Sequence, residues 1–321
     1  MSDLWNPVHQ PQPQDYTYDL ERALNAIVGV HSVVPPDAFT AETLGTERAG
    51  NGVLIAPHNV VLTIGYLVTE AEQVWLHFNG GKVVPGHVMA YDQETGFGLI
   101  QPLARIDAPA LELGSSASTT VGDDVVVAGA GGRSRSVAAR IAAKQEFAGY
   151  WEYVLDEAIF TTPSHPNWGG TGLIGADGKL IGIGSLQLEQ TRGENQTQHI
   201  NMVVPIDLLK PILNDLMTLG RPNRPVRPWL GLFATEIESR VVIAGLAGQG
   251  PAKRANLKTG DLVVSVAGRE VTDLASLFRG VWSLGEAGVE VPLRVHREGR
   301  TFDVRITSSD RNSFLKRPKL H

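Results

Sequence analysis

The chain has no cysteine anywhere in its 321 residues, which excludes disulfides, thiol nucleophiles and cysteine-ligated metals. No apolar run approaches membrane-spanning length, so a spanning helix is excluded too. The opening residues, "MSDLWNPVHQPQPQDY", lack both the cationic lead and the apolar core of a signal peptide, and a cytoplasmic protein is the expectation. Positive charge is in deficit: 28 Lys and Arg against 34 Asp and Glu leave a net charge of −6, which gives no purchase to nucleic acid or to an anionic membrane. His58, His77 and His87 are scattered without the H-E-x-x-H spacing of a metal site, and the glycine-rich stretch 129–132 is not followed by the Gly-Lys-Ser/Thr of a phosphate loop. No cofactor and no metal are expected.

What is present is 42% hydrophobic residues in a chain long enough for two domains. Residues 1–17 are rich in Pro and Gln and read as a flexible N-terminal segment. Leu20, Leu24, Ile27 and Val28 fall on one helical face, which predicts a helix over 18–28. Short β signals follow at 52–56, 60–63, 74–78, 82–90, 98–101, 124–128, 137–144 and 153–159, with turns at 79–81 and 129–132. Strands this short and regular predict a barrel or sandwich. An amphipathic pattern spans 205–219, where Pro211 either kinks the helix or delays its start. "GRPNRPVRP" then reads as a proline-stiffened linker. The expected organisation is a β-rich domain over 18–220, a linker at 221–228, a second domain over 229–309 and a basic tail at 310–321. A helix is predicted over 273–283, capped by Asp273.

The stretch "TPSHPNWGGTGLIGADGKLIGIGSLQ" is the least ordinary in the chain. Its right half reads as a β-hairpin turning at Ala176-Asp177-Gly178. Its left half sets Trp168 among small residues, just after Pro166.

Two resemblances explain these patterns. "GPAKRANLKTGDLVVSVAGREV" resembles the PDZ signature, in which a short helix leads to a "GD" turn, a strand and a hairpin. That resemblance implies that peptides or protein C-termini add as a strand beside a helix, with backbone amides holding the terminal carboxylate. It makes Trp229, Leu230, Gly231 and Leu232 the carboxylate-binding loop and its strand, and places Leu277 on the facing helix. As alternating strand residues, Leu230 and Leu232 equally suit the core. The preceding domain resembles the trypsin-like serine proteases of HtrA type. "GNGVLIAPHNVVLTIGYLV" is similar to the family's "GSGVII…ILTNNHVV", "YDQETGFGLIQ" to "DxxTDLALLK", and "PSHPNWGGTGLIGADGKLIGIGS" to "NPGNSGGPLxNxxGxVIGINT". The implied fold class is mainly β, a trypsin-like double β-barrel followed by a PDZ domain. A homo-oligomer, a trimer in this family, is implied as well, with Trp5, Tyr16 and Tyr18 as N-terminal aromatics available to it.

The chemistry does not follow the fold. Acyl transfer in this family needs a serine, a histidine base, an orienting aspartate and backbone N–H donors for the oxyanion. The motifs put Tyr66 at the histidine, Gly96 at the aspartate and Trp168 at the serine. Tryptophan has no nucleophilic oxygen, and a phenol of pKa near ~10 is a poor base at neutral pH. The oxyanion donor two residues before the serine falls on Pro166, which has no N–H. Losing one such donor costs about 3–4 kcal/mol of transition-state stabilisation. The expectation is a catalytically inactive pseudoprotease that binds peptides through its PDZ domain. The alternative is an active endopeptidase using residues outside the triad positions, for which Ser164 beside His165 is the candidate. Asp92 and Asp156 match family aspartates outside the triad and are expected to bond within turns.

Overall fold

Short runs rich in β-branched residues, each closed by a turn, favour antiparallel strands. In the structure, a computed structural model describing residues 9–192 and 196–316, twelve such strands close two barrels. The first contains β1 (Ile27–Val33), β2 (Glu47–Ile55), β3 (Val60–Ile64), β4 (Gln73–His77), β5 (Val83–Tyr91) and β6 (Phe97–Pro102), in the order β1-β2-β3-β6-β5-β4. The second contains β7 (Asp124–Ala128), β8 (Ser136–Gly149), β9 (Tyr153–Thr162), β10 (Gly172–Ile174), β11 (Leu180–Arg192) and β12 (Gln196–Pro205), in the order β10-β11-β12-β9-β8-β7. Closure removes the open sheet edges that would invite aggregation. Inward-pointing Val125, Val127, Val137, Ile141, Ile159, Leu173 and Val203 fill the second barrel.

The helix expected over 18–28 is shorter than its pattern. Helix α1 spans Leu20–Leu24, with Asp19 accepting from the Arg22 N–H as its cap. Ile27 and Val28 instead begin β1, which pairs with β2 on one side and β4 on the other. Their β-branched side chains gain more in a two-sided ladder than in another helical turn. The N-terminal segment expected to be flexible carries a 3₁₀ turn at Pro13–Asp15, and the Tyr16 and Tyr18 rings lie 5.4 Å apart. Trp5 lies outside the described residues. Two further helices are α2 (Ala41–Leu44) and α3 (Leu213–Leu219). Helix α3 begins two residues after Pro211, so the proline delays the helix rather than bending it.

The described residues fall into two compact units. One holds both barrels. The other consists of Arg224–Leu315 together with a piece from the middle of the chain, Glu146–Asp156. Lys316 counts with the first unit, so the linker is not the sole boundary between them. The second unit contains β13 (Leu232–Ile237), β14 (Arg240–Leu246), α4 (Pro251–Arg254), β15 (Leu262–Val266), β16 (Arg269–Glu270), α5 (Leu274–Trp282), β17 (Glu290–Arg297) and β18 (Arg300–Thr307). Its sheet runs β13-β14-β15-β17-β18, with β16 paired to β15, which leaves β13 at an edge. Helix α5 starts at a capping box: Asp273 accepts from the Ser276 N–H, and the Ser276 hydroxyl accepts from the Asp273 N–H.

Candidate functional site

The loop 162–171 is tied down by hydrogen bonds to several neighbouring elements. Asn51 is the anchor. Its Nδ2 donates to the carbonyls of Asn167 (2.9 Å) and Gly169 (3.0 Å), and its own N–H donates to the Gly169 carbonyl as well (2.8 Å). The same side chain accepts the Ala130 N–H through Oδ1 at 2.9 Å, tying the loop to the turn after β7. Buried His165 braces the other side. Its Nδ1 accepts the Asn167 N–H at 3.0 Å, which leaves the proton on Nε2 to donate to the Arg135 carbonyl at 2.9 Å. Burial pushes the His165 pKa down to about 4, with the nearby Arg135 charge adding to the shift and the bonds to Arg135 and Asn167 opposing it.

The sequence-expected triad positions are brought together here. Tyr66 follows β3 in a 3₁₀ turn, and its hydroxyl donates to the Ser185 carbonyl at 2.8 Å. Ser185 sits at the register shift between Gly184 and Leu186 of β11, which frees that carbonyl from the ladder. The Trp168 side chain lies beside the Tyr66 phenol, where its polar group partly offsets the effect of burial. Burial drives the Tyr66 pKa upward, further from any role as a base near neutrality. Gly96 has φ +83°, and its carbonyl accepts the Gly65 N–H at 2.6 Å, beside Tyr66. Pro166 is exposed and offers no N–H, while the N–H of Asn167 is committed to His165.

The Ser164–His165 pair is not assembled. The Ser164 hydroxyl accepts from Gln187 Nε2 at 3.1 Å, while both ring nitrogens of His165 bond to backbone groups. Asp92 closes a turn, taking the Thr95 N–H at 3.1 Å and hydroxyl at 2.7 Å. Asp156 instead pairs with Arg279 at 2.5 Å. Among the described residues, no group of three or more His, Cys, Asp or Glu side chains is placed to hold a metal ion.

In the second unit, the side chains of Leu230, Leu232 and Leu277 are all buried in one cluster with Ile243, Phe278 and Leu293. They are core, and what their loop presents is its backbone. Gly231 has φ +74°, and a Cβ there would lie 3.0 Å from the Gly250 Cα. That left-handed turn aims consecutive N–H groups at one point. All three bond to Glu152: Leu230 N–H reaches Oε2 at 3.1 Å, and Gly231 and Leu232 reach Oε1 at 2.7 and 3.1 Å. Trp229 is held by paired backbone bonds with Ser309, and its ring lies 5.0 Å from that of Phe314. Sequence reasoning missed Glu152. The signal available was the aromatic density around it in "EFAGYWEYV".

Residues 50–183 match the trypsin-like peptidase domain and residues 228–307 match the PDZ domain. With the double barrel and the edge-stranded second unit, these define the class: a trypsin-like peptidase domain followed by a PDZ domain. Within that class the chain is similar to HtrA- and DegP-type proteases. It is 24% identical over 290 residues to the serine protease Do-like HtrA of Lactobacillus helveticus, covering 82% of this chain and 69% of that protein. It is 26% identical over 277 residues to a probable periplasmic serine endoprotease DegP-like of Halomonas elongata, covering 81% of this chain but only 56% of that protein. Its fold is similar to the HtrA-type protease AlgW with decapeptide, at TM-score 0.54 and 19% identity over 94% of this chain and 98% of that one.

Proposed function

We propose that this chain is an HtrA-like pseudoprotease: a trypsin-like domain that performs no acyl transfer, joined to a PDZ domain that binds peptides or protein C-termini. The observation that carries the reading is the pairing of Tyr66 with Trp168, which puts a phenol and an indole at the positions of base and nucleophile. Support comes also from Gly96, which has no side chain to orient a base, and from Pro166, which has no N–H for an oxyanion. His165 is no substitute base, since its ring nitrogens are engaged by the Arg135 carbonyl and the Asn167 N–H. For the PDZ domain, support lies in the amides of Leu230, Gly231 and Leu232, which converge on a carboxylate. The homo-oligomer implied by the family resemblance belongs to the same proposal and is read by light scattering. Incubation of the full chain with unfolded casein tests the catalytic half: the casein stays intact. Cleavage that survives Trp168→Ala and disappears with Ser164→Ala would replace this reading with the endopeptidase one.

A further inference from the structure

The groove between β13 and α5 already holds a piece of this chain. Glu146–Asp156, the piece that folds with the PDZ unit, contains the end of β8, a tight turn and the start of β9. Three contacts seat it. The Glu152 carboxylate takes the N–H groups of Leu230, Gly231 and Leu232. The Tyr150 carbonyl accepts the Ala234 N–H at 2.9 Å, a ladder bond on the otherwise open edge of β13. Val154 is buried in the same cluster as Leu232, Leu277 and Phe278.

An extended peptide added to a sheet edge uses the same three kinds of contact: an anion in a cradle of amides, backbone bonds to the edge strand, and an apolar side chain in a pocket. A surface turn has no need of them. Glu152 is almost fully buried, and its φ of +61° is that of the left-handed residue closing a three-residue hairpin turn. The turn is stiffened by Trp151 stacked on Tyr153 at 5.3 Å, and the Tyr150 ring lies 6.0 Å from Phe233 of β13. At its rim, Arg279 of α5 bonds to both Glu146 and Asp156 at 2.5 Å. These exposed pairs fix orientation more than they add stability.

We infer that the segment around Glu152 is an intrinsic ligand of the PDZ groove, its side-chain carboxylate standing in for a peptide's C-terminal carboxylate, so that an incoming peptide must displace it. The inference rests on the PDZ reading above and adds regulation to it. The groove is occupied at rest, and apparent affinity for an outside chain is reduced by the fraction of molecules in which the segment is docked. Release of the segment frees the cradle of Leu230, Gly231 and Leu232 together with the edge of β13.

The test uses the full chain and two measurements. Hydrogen exchange at the amides of Leu230, Gly231 and Leu232 is slow in the wild type. It accelerates roughly tenfold or more in Glu152→Ala and less in Glu152→Gln, which keeps an acceptor and the side-chain volume. A fluorescent peptide ending in valine with a free carboxylate, matched to the buried Val154, binds the Ala variant roughly 10- to 100-fold more tightly than wild type; its amide-capped form shows no such gain. Unchanged exchange in Glu152→Ala overturns the inference, as does equal peptide affinity in wild type and variant. Faster exchange without peptide binding to any form upholds the docking and contradicts the peptide-binding role proposed above.

Discussion

The phenol of Tyr66 donates to the carbonyl of Ser185 at 2.8 Å, with the Trp168 side chain beside it. One hydroxyl thereby ties the 3₁₀ turn after β3 to β11. Removing it with Tyr66→Phe leaves the carbonyl of buried Ser185 unpaired. The expected cost is about 1–3 kcal/mol. Thermal unfolding reads this as a Tm lowered by roughly 2–10 °C, whereas an unchanged Tm would mean the bond contributes nothing.

Restoring the triad one residue at a time gives no activity. Trp168→Ser alone stays inert, since triad members act as a unit. Gly96→Asp costs about 1 kcal/mol in its own right, because φ +83° at that position suits glycine. Even Tyr66→His, Gly96→Asp and Trp168→Ser combined stay roughly 10²- to 10³-fold below the same set with Pro166→Gly added, the ratio set by one oxyanion donor. Single-turnover ester hydrolysis measures each step. Equal rates with and without the Pro166 change would remove the oxyanion argument.

His165 gives the barrel unit an acid-sensitive post. Its pKa is depressed to about 4 in the folded chain against an ordinary 6.5, with burial the main cause. Unfolding lets it take a proton that the folded site refuses, so its contribution is intact above pH 6.5 and is lost as pH falls from there toward 4. The full loss is about 3 kcal/mol. Urea titrations at neutral pH and at about pH 4.5 should differ by most of that amount in the wild type. In His165→Gln the difference should shrink, and one of equal size would assign the acid sensitivity elsewhere.

The strands and motifs were legible because they depend on local pattern. Short β-branched runs, the Ala176–Gly178 turn and the Asp273 cap each carry their own signal, and each appears in the structure. The start of β1 was illegible because Ile27 and Val28 continue a helical spacing, and only pairing with Val53 and Gly52 settles them as strand. Of the expected site residues, Trp168 lies beside Tyr66, and Gly96 bonds to the neighbouring Gly65. The bracing around them, Asn51 to Gly169 and His165 to Asn201, joins side chains to backbone far along the chain. Glu152 is the extreme case. Its partners are Leu230, Gly231 and Leu232, and no local pattern ties a hairpin glutamate to amides that distant.

Docking of Glu152 depends on pH with a definite sign. Burial pushes its carboxyl up to about 7 from an ordinary 4.5, against the pull of the amides of Leu230, Leu232 and Gly231 and of the Arg311 charge. A raised pKa means that the docked form keeps its proton longer. Docking is therefore strongest below pH 4.5 and weakens as pH rises through 7, by up to about 3 kcal/mol. Peptide affinity of the wild type should accordingly rise between about pH 5 and pH 8, while that of Glu152→Gln stays flat. A wild-type affinity that stays flat or falls over that range would remove this linkage.

The central claim is that the Tyr66–Trp168 site transfers no acyl group, and its most direct test is the intact mass of the full chain after incubation with a fluorophosphonate. An activated serine attacks phosphorus and retains the phosphonate, whereas an unactivated hydroxyl does not react on the same timescale. The result expected is an unchanged mass, with an active serine protease labelled alongside as control. A single phosphonate adduct on one serine, abolished when that serine is replaced by alanine, would contradict the account and place a working nucleophile in this fold.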